Sequence, residues 1–166
     1  GWLTDAEIVQ VNAAGTFNIQ PIESSSTGPK ALRIQRPNGT DSIWVEFRQP
    51  LGNYDPALRP SYANESNYPL FHGALLFSEN LYYSTPVYSL LNLHQSFEND
   101  YLNTALYQGA TWKDPFSGLQ ITVNSISTTS MSVTVDYAGT CTTPGFLQRS
   151  YDAQEHRDTL PVAAPI

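Results

Sequence analysis

Residues 31–48 read Ala31-Leu-Arg-Ile-Gln-Arg-Pro-Asn-Gly-Thr-Asp-Ser-Ile-Trp-Val-Glu-Phe-Arg48, and this stretch decides the fold class. Two runs of period 2 flank Asn38-Gly39, the commonest dipeptide of a two-residue hairpin turn. With those residues in the turn, Ile34 faces Ile43, Leu32 faces Val45, Arg36 faces Asp41, and Arg33 lies beside Trp44 with Glu46 on the diagonal. Each pair is compatible in size or charge. A slip of one residue sets Leu32 and Ile34 against Trp44 and Ser42 and turns one strand's apolar set toward water, so the register is strongly specified. Pro37 is the blemish, because it removes a ladder donor beside the turn.

Outward from the hairpin, the same period recurs. Ile8, Val9 and Val11 precede Asn12-Ala-Ala-Gly15, and Thr16-Phe-Asn-Ile-Gln20 alternates with Phe17 and Ile19 inward. Leu119 to Val123 and Met131 to Tyr137 place Leu119, Ile121, Val123, Met131, Val133, Val135 and Tyr137 on inner faces, with Ser, Thr and Gln outside. Leu70 to Phe77 and Val87 to Leu93 are nearly continuous apolar runs and read as buried strands, a helix being the alternative for the second. Between them, residues 23–29 form a surface loop and residues 49–68, rich in Pro, Asn and Tyr, form a long irregular one. These strands and turn signals, with no long helical period, predict an all-β fold, an antiparallel β-sandwich of jelly-roll or Ig-like type. The domain runs over residues 1–149, and residues 150–166 form an extended tail or linker. Within it Leu160, Val162, Ala164 and Ile166 alternate, a pattern that suits strand addition to another subunit's sheet, against which stand Pro161 and Pro165.

At 166 residues the chain is long enough for one well-buried core. Its net charge is −7, and Lys30 and Lys113 are the only lysines, so no basic stripe exists to neutralise phosphates. Nucleic acid and an anionic membrane surface are therefore not expected as partners. No run reaches the roughly 18 apolar residues of a membrane-spanning helix. Cys141 is alone and has either a buried thiol or an intermolecular bridge to choose from. The low share of charged residues, 14%, and the triplets Asn38-Gly-Thr40 and Asn64-Glu-Ser66, which are glycosylation acceptors in a turn and a loop, agree with secretion. Gly1 in place of an initiator Met points to a processed product or a piece of a longer precursor.

No catalytic constellation is legible. His72, His94 and His156 lie in two apparent strands and the tail, without the four-residue helical spacing of hydrolytic zinc sites. Neither a nucleophile elbow nor a Cys-His pair is present. Glu46, Glu79, Glu98 and Asp100 are candidates for a carboxylate pair of the glycosidase kind only in a weak sense, and salt-bridged or solvated roles are the better reading. Asp100 and Asp114 with Asn99 and Asn103 suggest a calcium loop, but their spacing suits turn capping better. Neither metal nor cofactor is expected. Aromatic side chains are more suggestive: Trp2, Trp44, Trp112 and the loop tyrosines Tyr54, Tyr62, Tyr68, Tyr82 and Tyr83 are sugar-stacking or interface candidates, or else they pack loops onto the sheets.

Gly1-Trp2-Leu3, Gly15-Thr-Phe-Asn-Ile-Gln-Pro-Ile22, Ala31-Leu-Arg-Ile34 and Trp44-Val-Glu-Phe-Arg-Gln-Pro50 with Asp55 form one set of motifs. His72-Gly-Ala-Leu-Leu76, Ser89-Leu-Leu-Asn-Leu93 and Leu106-Tyr-Gln-Gly-Ala-Thr-Trp-Lys-Asp-Pro-Phe-Ser-Gly-Leu-Gln-Ile-Thr-Val123 form another. Together they resemble the β-rich region downstream of the catalytic domain in secreted gametolysin-like zinc metallopeptidases, across residues 1–137. That family's zinc-binding helix has no counterpart here. The resemblance therefore implies a non-catalytic, extracellular β-sandwich for adhesion, matrix binding or substrate recruitment, with a protein or polysaccharide of the matrix or cell surface as partner. A structural subunit of an extracellular fibre, self-assembled through the tail, and a carbohydrate-binding module are the alternatives.

Overall fold

A computed structural model describes residues 3–37, 41–55, 69–82, 85–93 and 104–137, with the side chains of 81 and 82 excepted. Among these residues ten strands make up two sheets: β1 (Ile8–Val11), β2 (Gly15–Ile19), β3 (Ala31–Gln35), β4 (Ser42–Phe47), β5 (Gly73–Tyr82), β6 (Thr85–Leu90), β7 (Leu106–Tyr107), β8 (Thr111–Lys113), β9 (Leu119–Ile126) and β10 (Met131–Tyr137). The larger sheet has the order β1-β3-β4-β5-β6, with β7 also on β5, and the smaller has β2-β10-β9-β8. Short 3-10 turns occur at Asp5–Glu7 and Pro69–Phe71, and no α-helix is found among the described residues. The all-β expectation holds.

The hairpin forms in the register read from its side chains: Leu32 opposite Val45, Arg33 opposite Trp44, Ile34 opposite Ile43. The Arg36 N–H donates to the Asp41 carbonyl at 2.9 Å, closing the ladder toward a turn whose residues 38–40 lie outside the described set. One pairing departs from the antiparallel expectation, because β1 runs parallel to β3. Parallel neighbours need a crossover connection, and here the chain leaves β1, adds β2 to the other sheet, and returns through residues 20–30. The Gln20 N–H donates to the Pro29 carbonyl at 2.8 Å and that of Lys30 to the Glu7 carbonyl at 2.8 Å, while the Lys30 ammonium meets Glu7 Oε1 at 2.7 Å.

One cluster of buried side chains fills the space between the sheets. Leu32, Ile34, Ile43, Val45, Phe47, Ala74 and Leu76 come from the larger sheet, and Ile19, Leu119, Ile121, Val123, Met131, Val133 and Val135 from the smaller. Each fully buried aliphatic or aromatic side chain of this kind is worth about 1.5–3 kcal/mol of transfer free energy. Strand β9 continues past the expected Val123 to Ile126 because Asn124 is taken up as a bulge: Ser132 pairs with Ser125 while Val133 pairs with Val123. The extra residue resets the alternation, so Ile126 also packs against the core.

Two polar contacts bind the layers together. Arg36, just beyond β3, sends Nε and Nη2 to the carboxylate of Asp114 at 2.8 and 3.3 Å, and both side chains are buried. Asp114 also caps its own turn, accepting from the Ser117 hydroxyl at 2.6 Å and the Phe116 N–H at 3.3 Å, so turn capping is its role here. On β10 the Tyr137 hydroxyl lies 3.0 Å from the Gln35 carbonyl and 3.3 Å from that of Val11, reaching from the smaller sheet to the ends of β3 and β1.

Strand β6 differs from its expected burial. Val87, Tyr88 and Leu90 are 42%, 54% and 38% exposed. Continuous apolar sequence implies burial on both faces only for a strand flanked by neighbours, whereas among the described residues β6 pairs with β5 alone and stands last in its sheet.

Candidate functional site

The outer faces of the two sheets differ in chemistry. On the smaller sheet Thr16, Thr134, Thr122 and Thr111 line up across four strands. Hydroxyls bond at 2.9 Å between Thr16 and Thr134 and at 2.8 Å between Thr111 and Thr122, so this face satisfies much of its own polarity. The larger sheet instead presents Arg33, Trp44, Phe77 and Leu90 in one row, with Glu79 and Tyr88 in the next.

Glu79 organises that face. Its carboxylate accepts Arg33 Nε at 2.7 Å and Nη2 at 3.1 Å, and Trp44 Nε1 donates to it at 2.7 Å. Burial pushes the Glu79 carboxyl up, but the bonds from Arg33 and Trp44 together with the guanidinium charge outweigh it and hold the group below its ordinary value. A carboxylate so occupied is a poor proton acceptor near neutrality. What it does is fix the indole: Trp44 meets Tyr88 edge to face, with ring centroids 5.9 Å apart and planes at 79°, and the Arg33 guanidinium lies 5.9 Å from the Trp44 ring. The result is a rigid aromatic surface with Tyr88 as its most exposed member.

Beside it lies a second charged group. Arg48 is shared by Glu46 at 3.1 Å and Asp55 at 2.7 Å. Burial raises both carboxyls above their ordinary values in spite of the guanidinium. Asp55 is fully buried, and its Oδ2 has no partner among the described residues. Residues 53–55 are held by Glu23, whose carboxylate accepts the backbone N–H groups of Asn53, Tyr54 and Asp55 at 2.7, 3.0 and 2.9 Å. This arrangement anchors the base of the long loop.

The sequence candidates are distributed unevenly. Glu46 and Glu79 share the outer face, yet each is tied to its own arginine, as the salt-bridged reading has it. Tyr54 is 60% exposed on the loop base, whereas Trp112 is half-buried and packs on the core. His72 precedes β5 and, with Gln49, Pro50, Phe71 and Ile126, lines an open depression of about 470 Å³. Tyr82 is in β5, but its side chain lies outside the described residues. Asn38, Asn64, Tyr62, Tyr68, Tyr83, Trp2, His94, Glu98, Asp100, Cys141, His156 and the segment 160–166 lie outside the described residues altogether. The site's two principal members were missed as a pair. Trp44 is recognisable as outward from the hairpin register, but Tyr88 sits in a run that looks uniformly apolar. Among the described residues no three His, Cys, Asp or Glu side chains gather as a metal site, and no helix is long and apolar enough to cross a membrane.

No family model, curated protein or solved structure matches this chain.

Proposed function

We propose that this chain is a non-catalytic extracellular recognition module, serving adhesion, matrix binding or substrate recruitment in a gametolysin-like peptidase precursor. The observation that carries the reading is the Trp44–Tyr88 surface, an aromatic platform held rigid by an ion pair and standing outside the core. Rigid aromatic side chains give large contact area at small entropic cost. The charge network beneath is neutralised internally, which favours a partner read by shape and ring stacking. Titrating the chain against matrix polysaccharides and matrix proteins while following tryptophan emission tests this. Saturable binding is expected, lost in Tyr88→Ala with folding retained; flat isotherms across the panel, or chelator-sensitive peptidase activity of the chain, would overturn it. Polysaccharide arms alone responding would single out the carbohydrate-binding form.

A second reading, a subunit of an extracellular fibre, is favoured by one feature: among the described residues β6 pairs with β5 alone, leaving the sheet with an open apolar edge. Electron micrographs of the concentrated chain test it, since filaments are expected and their absence would exclude it.

A further inference from the structure

We infer that the open edge of β6 is an acceptor for the segment Leu160–Ile166 of a second copy of this chain, which adds to it as an antiparallel strand. The inference deepens the fibre reading by naming its contact.

The edge can be read bond by bond. The Leu91 N–H donates to the Leu76 carbonyl at 2.8 Å, in the same register that pairs Phe77 with Leu90 and Ser78 with Ser89. Bonded and non-bonded pairs alternate along an antiparallel ladder. Thr85, Val87 and Ser89 therefore bond to β5, and Pro86, Tyr88 and Leu90 turn their backbone groups to the open side. Pro86 falls at a position whose missing N–H costs the sheet nothing. Among the described residues no strand meets the N–H groups of Tyr88 and Leu90 or the carbonyls of Pro86, Tyr88 and Leu90, which are left for an incoming one.

The segment Leu160-Pro-Val-Ala-Ala-Pro-Ile166 has the complementary parity. Its two prolines are four residues apart, so in an extended strand both place their nitrogens on the same side. If Leu160, Val162, Ala164 and Ile166 bond to β6, both prolines face away and no ladder bond is forfeited. Directly opposed residues of an antiparallel pair point to the same face. Those four apolar side chains then extend the row of the exposed Tyr88 and Leu90. The outward prolines leave the added strand a poor template for another. Segment and edge also match in length, seven residues against six.

Sedimentation velocity of the full chain over a concentration series tests the pairing, using two proline variants outside the β body. Ala164→Pro removes an N–H aimed at β6 and should weaken association about tenfold or more; Ala163→Pro removes one aimed away and should leave it unchanged. Tyr88→Pro, which alters the acceptor, should match Ala164→Pro. Equal behaviour of the Ala163 and Ala164 variants, or a monomer at every concentration, overturns the inference. Filaments indifferent to Ala164→Pro would overturn the pairing and keep the fibre reading, while closed oligomers sensitive to it would keep the pairing and remove the fibre.

Discussion

Trp44 Nε1 donates to Glu79 Oε2 at 2.7 Å, across the β4–β5 ladder and one step off its directly opposed partner Phe77. The bond makes the orientation of an outward indole depend on a carboxylate that is itself neutralised by Arg33 two strands away from β5. Replacing Trp44 with Phe removes the donor and keeps the ring contact with Tyr88. A loss of about 1–2 kcal/mol is expected from urea unfolding, together with a rise in the Glu79 pKa measured by carboxyl NMR titration.

The buried pair Arg36–Asp114 should respond asymmetrically. Asp114→Ala strands a guanidinium whose other acidic neighbour, Asp41, is 3.8 Å away, and should cost about 3–5 kcal/mol. Replacing both partners, as Arg36→Met with Asp114→Leu, should recover most of that loss in the same denaturation assay, apart from what the 114–117 turn loses with its cap.

Acid stability should be shaped by Glu7 and Glu79. The Lys30 ammonium and the Thr4 N–H and hydroxyl hold the Glu7 carboxyl down from 4.5 to about 2. A group depressed in the folded state stabilises fully above its ordinary pKa, and that contribution is lost as pH falls from 4.5 toward 2. Glu46 and Asp55, raised by burial, act oppositely and weaken the fold as pH climbs past their ordinary values. Urea midpoints measured from pH 7 downward should fall less steeply below pH 4.5 in Glu7→Gln than in the parent chain.

Gly73 begins β5 where β7 crosses closest. A Cβ there would run into the Leu106 carbonyl, which is backbone and cannot swing aside. Gly73→Ala should lower the melting temperature by several degrees, reflecting about 1–3 kcal/mol, and amide exchange should quicken at Leu106 and Tyr107 first.

Core and surface should separate cleanly. Ile121→Ala empties a fully buried site facing both sheets and should cost about 2–5 kcal/mol. Tyr88→Ala loses an edge contact with Trp44 worth about 1 kcal/mol in calorimetry, and on the proposed function it should abolish binding in the tryptophan-emission titration.

The period-2 pattern by itself determined the all-β class, the β3–β4 register, and the inward sets of β2, β9 and β10, because each strand's alternation follows from its own pleat. Only the tertiary structure decided which charges meet. From the hairpin Glu46 looked like the diagonal partner of Arg33, but β5 enters on the far side of β4 and brings Glu79, 46 residues away in sequence, within 2.7 Å. Likewise the parallel β1–β3 pair depends on where the chain goes after leaving the sheet, and the exposure of β6 on its being last in strand order. Apolar content is written residue by residue, whereas neighbours are assigned by topology, and topology turns the Val87–Leu90 run from core into surface.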